Sequence, residues 1–223
     1  MGGLIPEAST FAGPIGSLFN VVLIITGIAF VLVEGILIYF LIRYRHREGQ
    51  RAIYSHGDRR VEIAWTVVPG LMLFGLAVFQ YGTWTEARIR LPDQAESLMV
   101  GVSSNQFEWV GTYPGADGVL DTADDINAPI NVLHFPVNQP VIIRLESEDV
   151  LHSFFIPALR LKQDAVPGRQ IQLWFEATQP GEYEVACTEL CGLGHYRMRA
   201  IVTVESQAEF DTWLADLLTR QGQ

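Results

Sequence analysis

Two long apolar runs constrain the fold of this 223-residue chain more than any other feature. The first extends from Ile15 to Leu41 and the second from Ile63 to Trp84. Each run exceeds the ~20 residues that cross a bilayer as a helix, and a buried core helix would not be expected twice in tandem. The runs predict a transmembrane helical hairpin over residues 15–85, preceded by an outer segment of residues 1–14.

The placement of arginine predicts the orientation of this hairpin. No Lys or Arg precedes the first run, whereas arginines outnumber acidic residues between the two runs. The positive-inside rule therefore places the connecting loop in the cytoplasm and both termini outside. The outer segment also lacks the basic start of a cleavable signal peptide. The loop arginines are Arg43, Arg45, Arg47, Arg51, Arg59 and Arg60.

The region after a linker of residues 86–96 has the pattern of an all-β domain over residues 97–205. Residues 171–176 alternate between the core and the surface, as in a half-buried strand. Pro-Gly pairs at 167–168 and 180–181 mark turns. Short strands over about one hundred residues predict a Greek-key β-sandwich.

The C-terminal residues 206–223 predict a helix and a short tail. Ser206 and Glu209 have the spacing of a capping box, which opens a helix. Phe210, Trp213 and Leu217 then follow at helical spacing. The predicted fold is a membrane-anchored α+β chain, in which a two-helix hairpin is followed by a β-sandwich and a C-terminal helix.

The charge of the outer region favours a cationic partner. Residues 86–223 carry nine basic and twenty acidic side chains. A negative surface attracts a positively charged protein and accelerates its association at low salt, although part of this excess serves solubility. The same sign disfavours nucleic acid as a partner.

A short loop carries four potential metal ligands: Cys187, Cys191, His195 and Met198. Thiolate, imidazole and thioether ligands together select copper over hard cations. A mononuclear blue-copper site needs only one Cys, so the second thiolate favours two copper ions. His152 is the candidate for a further imidazole ligand.

Two alternatives compete with copper. The chain has only two Cys, and a disulfide between them is possible. A disulfide would not explain why His152, His195 and Met198 also occur in these motifs. Zinc fits less well, because zinc sites use Cys, His and carboxylate and not Met.

These residues lie in motifs that resemble subunit II of haem-copper cytochrome c oxidases. The resemblance extends from the first apolar run to about Val204. It rests on Asp149-Val-Leu-His152-Ser, on Leu161-Lys-Gln-Asp164-Ala-Val-Pro-Gly-Arg169 and on the Cys187–Met198 loop. It implies a cupredoxin-like sandwich that carries the binuclear copper centre CuA.

The resemblance also implies a complete ligand set. Cys187 and Cys191 would bridge both copper ions, and the remaining positions would be filled by His152, His195, Met198 and the backbone carbonyl of Glu189. The carboxylate of Glu189 would reach a Mg or Mn ion at the contact with subunit I. The alternative for this carboxylate is a solvated loop residue.

Three more roles follow from the same resemblance. Asp164 and Arg169 lie in the motif that faces subunit I, which carries the haems and CuB. Glu62 opens the second run and would lie at the entrance of a proton channel that continues in subunit I. Its alternative role is that of an acidic residue favoured by the helix N-terminus.

The chain departs from the family pattern at the expected site of electron entry and donor docking. Phe107 occupies a position where the family usually has Trp, and Trp109 either shares that function or packs in the core. The donor is therefore expected to be a cytochrome c-type protein, either free or held in a supercomplex. The chain has no Cys-x-x-Cys-His motif, so we expect no covalently attached haem.

Together these features predict the electron-entry subunit of an aerobic respiratory oxidase in the bacterial inner membrane. The oxygen chemistry and proton pumping would reside in subunit I, and lipid and further oxidase subunits would surround the hairpin. A quinol-oxidase subunit typically lacks the copper ligands. A membrane-tethered copper-delivery module and a disulfide-bonded structural domain remain as alternatives.

Two features have no place in this interpretation. Glu34 lies inside the first apolar run, where an ionised carboxylate costs about 2.5–3.5 kcal/mol, so it must face protein or be neutral. An acidic stretch over residues 113–129 could bind Ca²⁺, but its spacing does not match an EF-hand, and a solvated loop is favoured.

Overall fold

The computed structural model describes residues 5–221, which form three long helices and ten strands. The chain separates into two compact units. One consists of residues 16–82, and the other consists of residues 83–223 together with the N-terminal residues up to Ile15.

Two helices correspond to the two apolar runs. Helix α1 spans Ala12–Arg43 and helix α2 spans Arg59–Arg88, and both are long and apolar enough to cross a membrane. Their apolar side chains are largely exposed within the chain, as for Leu71 at 66%. This exposure fits a surface that faces lipid or partner helices, and it does not fit the core helix of a soluble protein.

Both helices extend beyond the predicted runs because polar residues at their ends continue the backbone hydrogen bonding. α2 in particular includes the first residues of the predicted linker, 86–96. Its last residue, Arg88, donates a hydrogen bond to the backbone carbonyl of Lys162 (2.6 Å). Both residues of this contact belong to the unit that contains the β domain.

Two five-stranded sheets form the β-sandwich. The first has the order β3-β2-β1-β5-β8 and the second has the order β4-β10-β9-β6-β7. The β1–β5 and β4–β10 pairs are parallel, and the other pairs are antiparallel. The strands are β1 Leu98–Asn105, β2 Glu108–Tyr113, β3 Ile126–Asn127, β4 Val132–Pro136, β5 Pro140–Ser147, β6 His152–Ile156, β7 Leu161–Ala165, β8 Ile171–Glu176, β9 Gly181–Cys187 and β10 Arg199–Glu205.

Alternating residues of the strands fill the core between the two sheets. In β8, Leu173 and Phe175 are buried, and in β9 Val185 and Cys187 are buried. The predicted alternation is therefore confirmed. Aromatic rings contribute much of the core volume, and they include Trp109, Tyr113, Phe135, Phe154 and Phe175.

The segment before α1 packs on the sandwich, which the sequence did not predict. The backbone of Ala8 pairs with Ala158 (3.0 Å) and Thr178 (2.8 Å). Phe11 packs edge-on against Trp174, with their ring centroids 4.7 Å apart. The outer segment thus extends the β domain and buries Ala8 completely.

The C-terminal helix α3 spans Gln207–Gln221 and begins at the predicted capping box. Ser206 donates to the Glu209 carboxylate from its hydroxyl (2.6 Å) and from its backbone N–H (3.0 Å). These hydrogen bonds lower the pKa of Glu209. Their contribution to stability is therefore present above the ordinary pKa of Glu and is lost as the pH falls through the lowered value.

Replacing Ser206 with Ala removes this cap, and we expect it to destabilise the β domain by about 1 kcal/mol. In a chain of this size that loss corresponds to a fall in Tm of about 2–4 °C, measured by near-UV circular dichroism of the full chain in detergent. Gln207→Ala alters an exposed side chain in the same turn and should change the stability by less than about 0.5 kcal/mol. Equal losses in both variants would contradict the role of the cap.

Candidate metal centre

The pairing of strands brings the predicted ligands together. β6 and β9 pair antiparallel with Phe154 opposite Cys187. His152 lies two residues before Phe154 in β6, and alternate residues share a face, so its side chain lies on the Cys187 side of the sheet. The Cys187 backbone N–H donates to the Met198 carbonyl (3.1 Å), which closes the neck of the loop between β9 and β10.

Six potential donor atoms converge at this end of the sandwich. The two Sγ atoms of Cys187 and Cys191 are 3.8 Å apart. Cys187 Sγ lies 4.0 Å from His152 Nδ1 and 3.3 Å from the carbonyl oxygen of Glu189. Cys191 Sγ lies 3.6 Å from His195 Nδ1 and 3.8 Å from Met198 Sδ.

These separations suit metal ligands. Two sulfur atoms that lie ~2.3 Å from one tetrahedral metal ion are about 3.8 Å apart. Both cysteines are free thiols, and their separation far exceeds the ~2.05 Å of a disulfide bond. His152, Cys187, Cys191 and Met198 are buried, and His195 is half-buried. Soft donors in a dry pocket could hold a thiophilic metal.

Asp149 orients His152. Its carboxylate lies 2.8 Å from His152 Nε2, so the other ring nitrogen, Nδ1, faces the sulfur atoms. Burial raises the pKa of Asp149, but hydrogen bonds from His152 and from the backbone of Val150 and Gln106 outweigh it and lower the pKa. A carboxylate behind an imidazole fixes the tautomer and the ring direction of a ligand.

The turn between β1 and β2 supports the loop from one side. The side-chain amide of Gln106 donates to the Cys191 carbonyl, and its backbone N–H donates to Asp149 (2.8 Å). The ring of Phe107 lies so close to Gly194 that an added Cβ would be 2.3 Å from its Cδ2 atom. Gly194 therefore allows the turn and the loop to touch.

Burial, together with the adjacent Cys187 thiol, raises the pKa of Cys191 to about 11. Without metal, this thiol keeps its proton at neutral pH. A metal ion that binds both sulfur atoms must therefore displace a proton, so that metal binding is coupled to proton release.

The other predicted site residues lie around this cluster. Asp164 accepts a hydrogen bond from the Ser153 hydroxyl (2.7 Å), which is the main reason why its pKa is lowered. Ser153 follows His152, so Asp164 is tied to the ligand strand. Arg169 is exposed beyond β7, and the Glu189 side chain is half-buried.

The two aromatic residues predicted for electron entry have different environments. Phe107 is half-buried beside the loop, with the Arg197 guanidinium 5.8 Å from its ring centroid. Trp109 is fully buried and packs edge-on against His152, with the ring centroids 6.1 Å apart. The Trp109 ring therefore offers no surface to a docking protein, and it belongs to the core behind the site.

Glu62 lies in the first turn of α2, in the unit of residues 16–82. Its side chain is exposed. Its position at the start of the helix is compatible with both roles considered for it from the sequence.

Sequence reasoning did not assign roles to Asp149, Gln106 and Gly194. Asp149 lies three residues before His152, and this short spacing is the one sequence feature that could have indicated a contact between the two side chains. Gln106 and Gly194 act through contacts between distant parts of the chain, which leave no local pattern.

Asp149→Ala is expected to weaken copper binding about 10–100-fold, because His152 loses the partner that orients it. The affinity is measured by competition with a copper chelator, using the full chain in detergent. Glu148→Ala removes the same charge from a neighbouring exposed position and should leave the affinity within about twofold of the parent. Equal weakening in both variants would point to a general charge effect and contradict the positioning role.

Known proteins share both parts of this structure. The family of the cytochrome c oxidase subunit II transmembrane domain matches residues 3–82, and that of the subunit II periplasmic domain matches residues 122–205. Cytochrome c oxidase subunit 2 of Synechocystis sp. is 32% identical, covering 96% of this chain and 75% of that protein. An alternative cytochrome c oxidase subunit 2 of Bradyrhizobium diazoefficiens is also 32% identical, covering 94% and 82%.

A solved structure supports the same fold. The crystal structure of the periplasmic domain of cytochrome oxidase subunit II from Bradyrhizobium japonicum aligns with a TM-score of 0.50 and 26% identity, covering 59% of this chain and 98% of that domain. The predicted fold, a membrane hairpin followed by a cupredoxin-like sandwich and a C-terminal helix, is confirmed. The chain belongs to the cytochrome c oxidase subunit II family.

Proposed function

We propose that this chain holds a binuclear CuA centre and is the electron-entry subunit of a respiratory cytochrome c oxidase. One observation carries the proposal: two free thiols converge with two imidazole nitrogens, a thioether and a carbonyl oxygen. Each of the other donor atoms lies within 4.0 Å of one of the two sulfur atoms. Cys187 and Cys191 would hold the copper ions through their thiolates. His152, His195, Met198 and the Glu189 carbonyl would complete the coordination.

When bound, the copper pair supplies a one-electron carrier. The chain contributes rigidity, because the ligands are fixed by two paired strands and by the closed neck of the loop. It also excludes water, since most of the ligand side chains are buried. A preorganised, dry ligand set resists rearrangement when the charge of the centre changes, which favours fast electron transfer.

The surface around the loop suits a protein donor. Leu190, Leu193 and Tyr196 are exposed by 77%, 97% and 82%, and Phe107 lies at the base of the same loop. Apolar side chains surrounded by an acidic domain fit a basic cytochrome c-type donor, steered by charge and then seated by apolar contact. Electrons would pass from this donor to haem in subunit I, where oxygen reduction and proton pumping take place.

Further roles of single residues belong to the same proposal. The Glu189 carboxylate would bind Mg or Mn at the contact with subunit I, and Asp164 and Arg169 would line that contact. Glu62 would lie at the entrance of the proton channel. The copper domain would face the periplasm of a bacterial inner membrane, with the arginine-rich loop in the cytoplasm.

Rapid mixing of the purified oxidase complex with reduced cytochrome c tests this function. We expect fast oxidation of the donor, at a rate that falls as salt increases. Cys191→Ser should slow electron entry at least about 100-fold, because it removes one of the two thiolate ligands. Thr188→Ser, a conservative change at an exposed position of the same loop, is the control. Electron entry at the parent rate in Cys191→Ser would refute the proposal.

Met198→Leu separates the tuning of the centre from its assembly. Loss of a weak neutral ligand should raise the midpoint potential, because the oxidised, more positive state loses a donor. The copper content should stay unchanged, since the thiolates and imidazoles remain. Potentiometric titration and copper analysis of the same sample check this. Loss of copper, or an unshifted potential at full copper content, would contradict it.

A further inference from the structure

Glu34 lies deep in the apolar part of α1. It precedes Leu41, the end of the apolar run, by seven residues, which corresponds to about 10 Å along the helix. Helical side chains lean toward the N-terminus of their helix, so the Glu34 side chain leans away from the nearer end of the run. The carboxyl group therefore does not reach water by extending along the helix.

No residue between Ile5 and Gln221 hydrogen-bonds to the Glu34 side chain or forms an ion pair with it. Hydroxyl groups in the same helices bond to their own backbone, as Thr26 does to the Val22 carbonyl (2.8 Å) and Thr66 does to the Glu62 carbonyl (2.9 Å). Glu34 is half-buried, whereas its apolar neighbours remain exposed.

The face of α1 that carries Glu34 is open to close approach. Gly27 lies two turns earlier on the same face, and no atom lies within 4 Å of the position that its Cβ would occupy. Gly27 borders an apolar groove lined by Leu23, Ile28 and Val31. Small residues in membrane helices let a second helix come near enough for polar contacts.

The lipid at this depth offers no hydrogen-bond donor. The carboxyl oxygen of Glu34 therefore needs a donor that belongs to a protein. We propose that Glu34 accepts a hydrogen bond from a donor side chain on a membrane helix of a partner oxidase subunit. Glu34 then marks the face of α1 that is covered by protein in the assembled complex. The inference rests on the proposed assembly with other oxidase subunits.

Chemical modification tests whether a partner covers this face. Dicyclohexylcarbodiimide reacts with protonated carboxyl groups from the lipid phase, and mass spectrometry quantifies the modified Glu34 peptide. The full chain in membranes without its partner subunits should be modified, and the assembled complex should be protected at least about tenfold. Equal modification in the two samples, at any level, would overturn the proposal.

Substitutions test the hydrogen bond itself. Haem that copurifies with the tagged chain after a detergent challenge should fall about tenfold in Glu34→Leu and stay within about twofold in Glu34→Gln, which keeps an acceptor oxygen. Ile36→Gln, which adds a polar group at an exposed position about 200° around α1 from Glu34 and outside the apolar groove beside Gly27, should also stay within about twofold. Haem recovery in Glu34→Leu equal to that of the parent would overturn the proposal.

Copper content, measured in the same samples, separates this inference from the proposed function. Selective loss of haem in Glu34→Leu with copper retained supports the interface. A parent chain without copper would refute the proposed function and would leave the test of Glu34 valid.

Discussion

The antiparallel pairing of β6 with β9 is the interaction on which the candidate metal centre depends. It places His152 beside Cys187, although the two residues are far apart in the sequence. The hydrogen bond between the Cys187 N–H and the Met198 carbonyl then fixes the second end of the loop. Ligands that come from two strands and one closed loop have little freedom to move, and this rigidity is what electron transfer requires.

Contacts outside the ligand set maintain this geometry. Asp149 orients the His152 ring from behind, and Gln106 links Asp149 to the backbone of Cys191. The closeness of Phe107 to Gly194 completes the support. One turn between β1 and β2 thus contacts both the acid behind His152 and the loop that carries the thiols, and the same turn borders the surface where a donor would dock.

Local patterns in the sequence were sufficient to predict the membrane helices, the alternation of strands and the four candidate ligands of the Cys187–Met198 loop. Each of these depends on spacing along one segment, whereas His152 lies on a separate strand and the complete ligand set was expected from the family resemblance. The packing of the N-terminal segment on Ala158 could not be predicted, because backbone pairing between distant segments leaves no local signal. The sequence likewise could not show that Trp109 is buried, since the same spacing fits a surface residue and a core residue. From the sequence, Glu34 stood out only because it is charged, and the structure then showed that its side chain has no hydrogen-bond or ion-pair partner among residues 5–221.

Electron paramagnetic resonance of the oxidised full chain, with copper quantitation, tests the central claim most directly. The proposed CuA centre, held by two free thiols 3.8 Å apart with two imidazoles beside them, would be a pair of copper ions that share one unpaired electron. The account therefore predicts two coppers per chain and a hyperfine pattern from two equivalent copper nuclei. A pattern from a single nucleus at one copper per chain, or a copper-free chain with Cys187 and Cys191 joined, would contradict it.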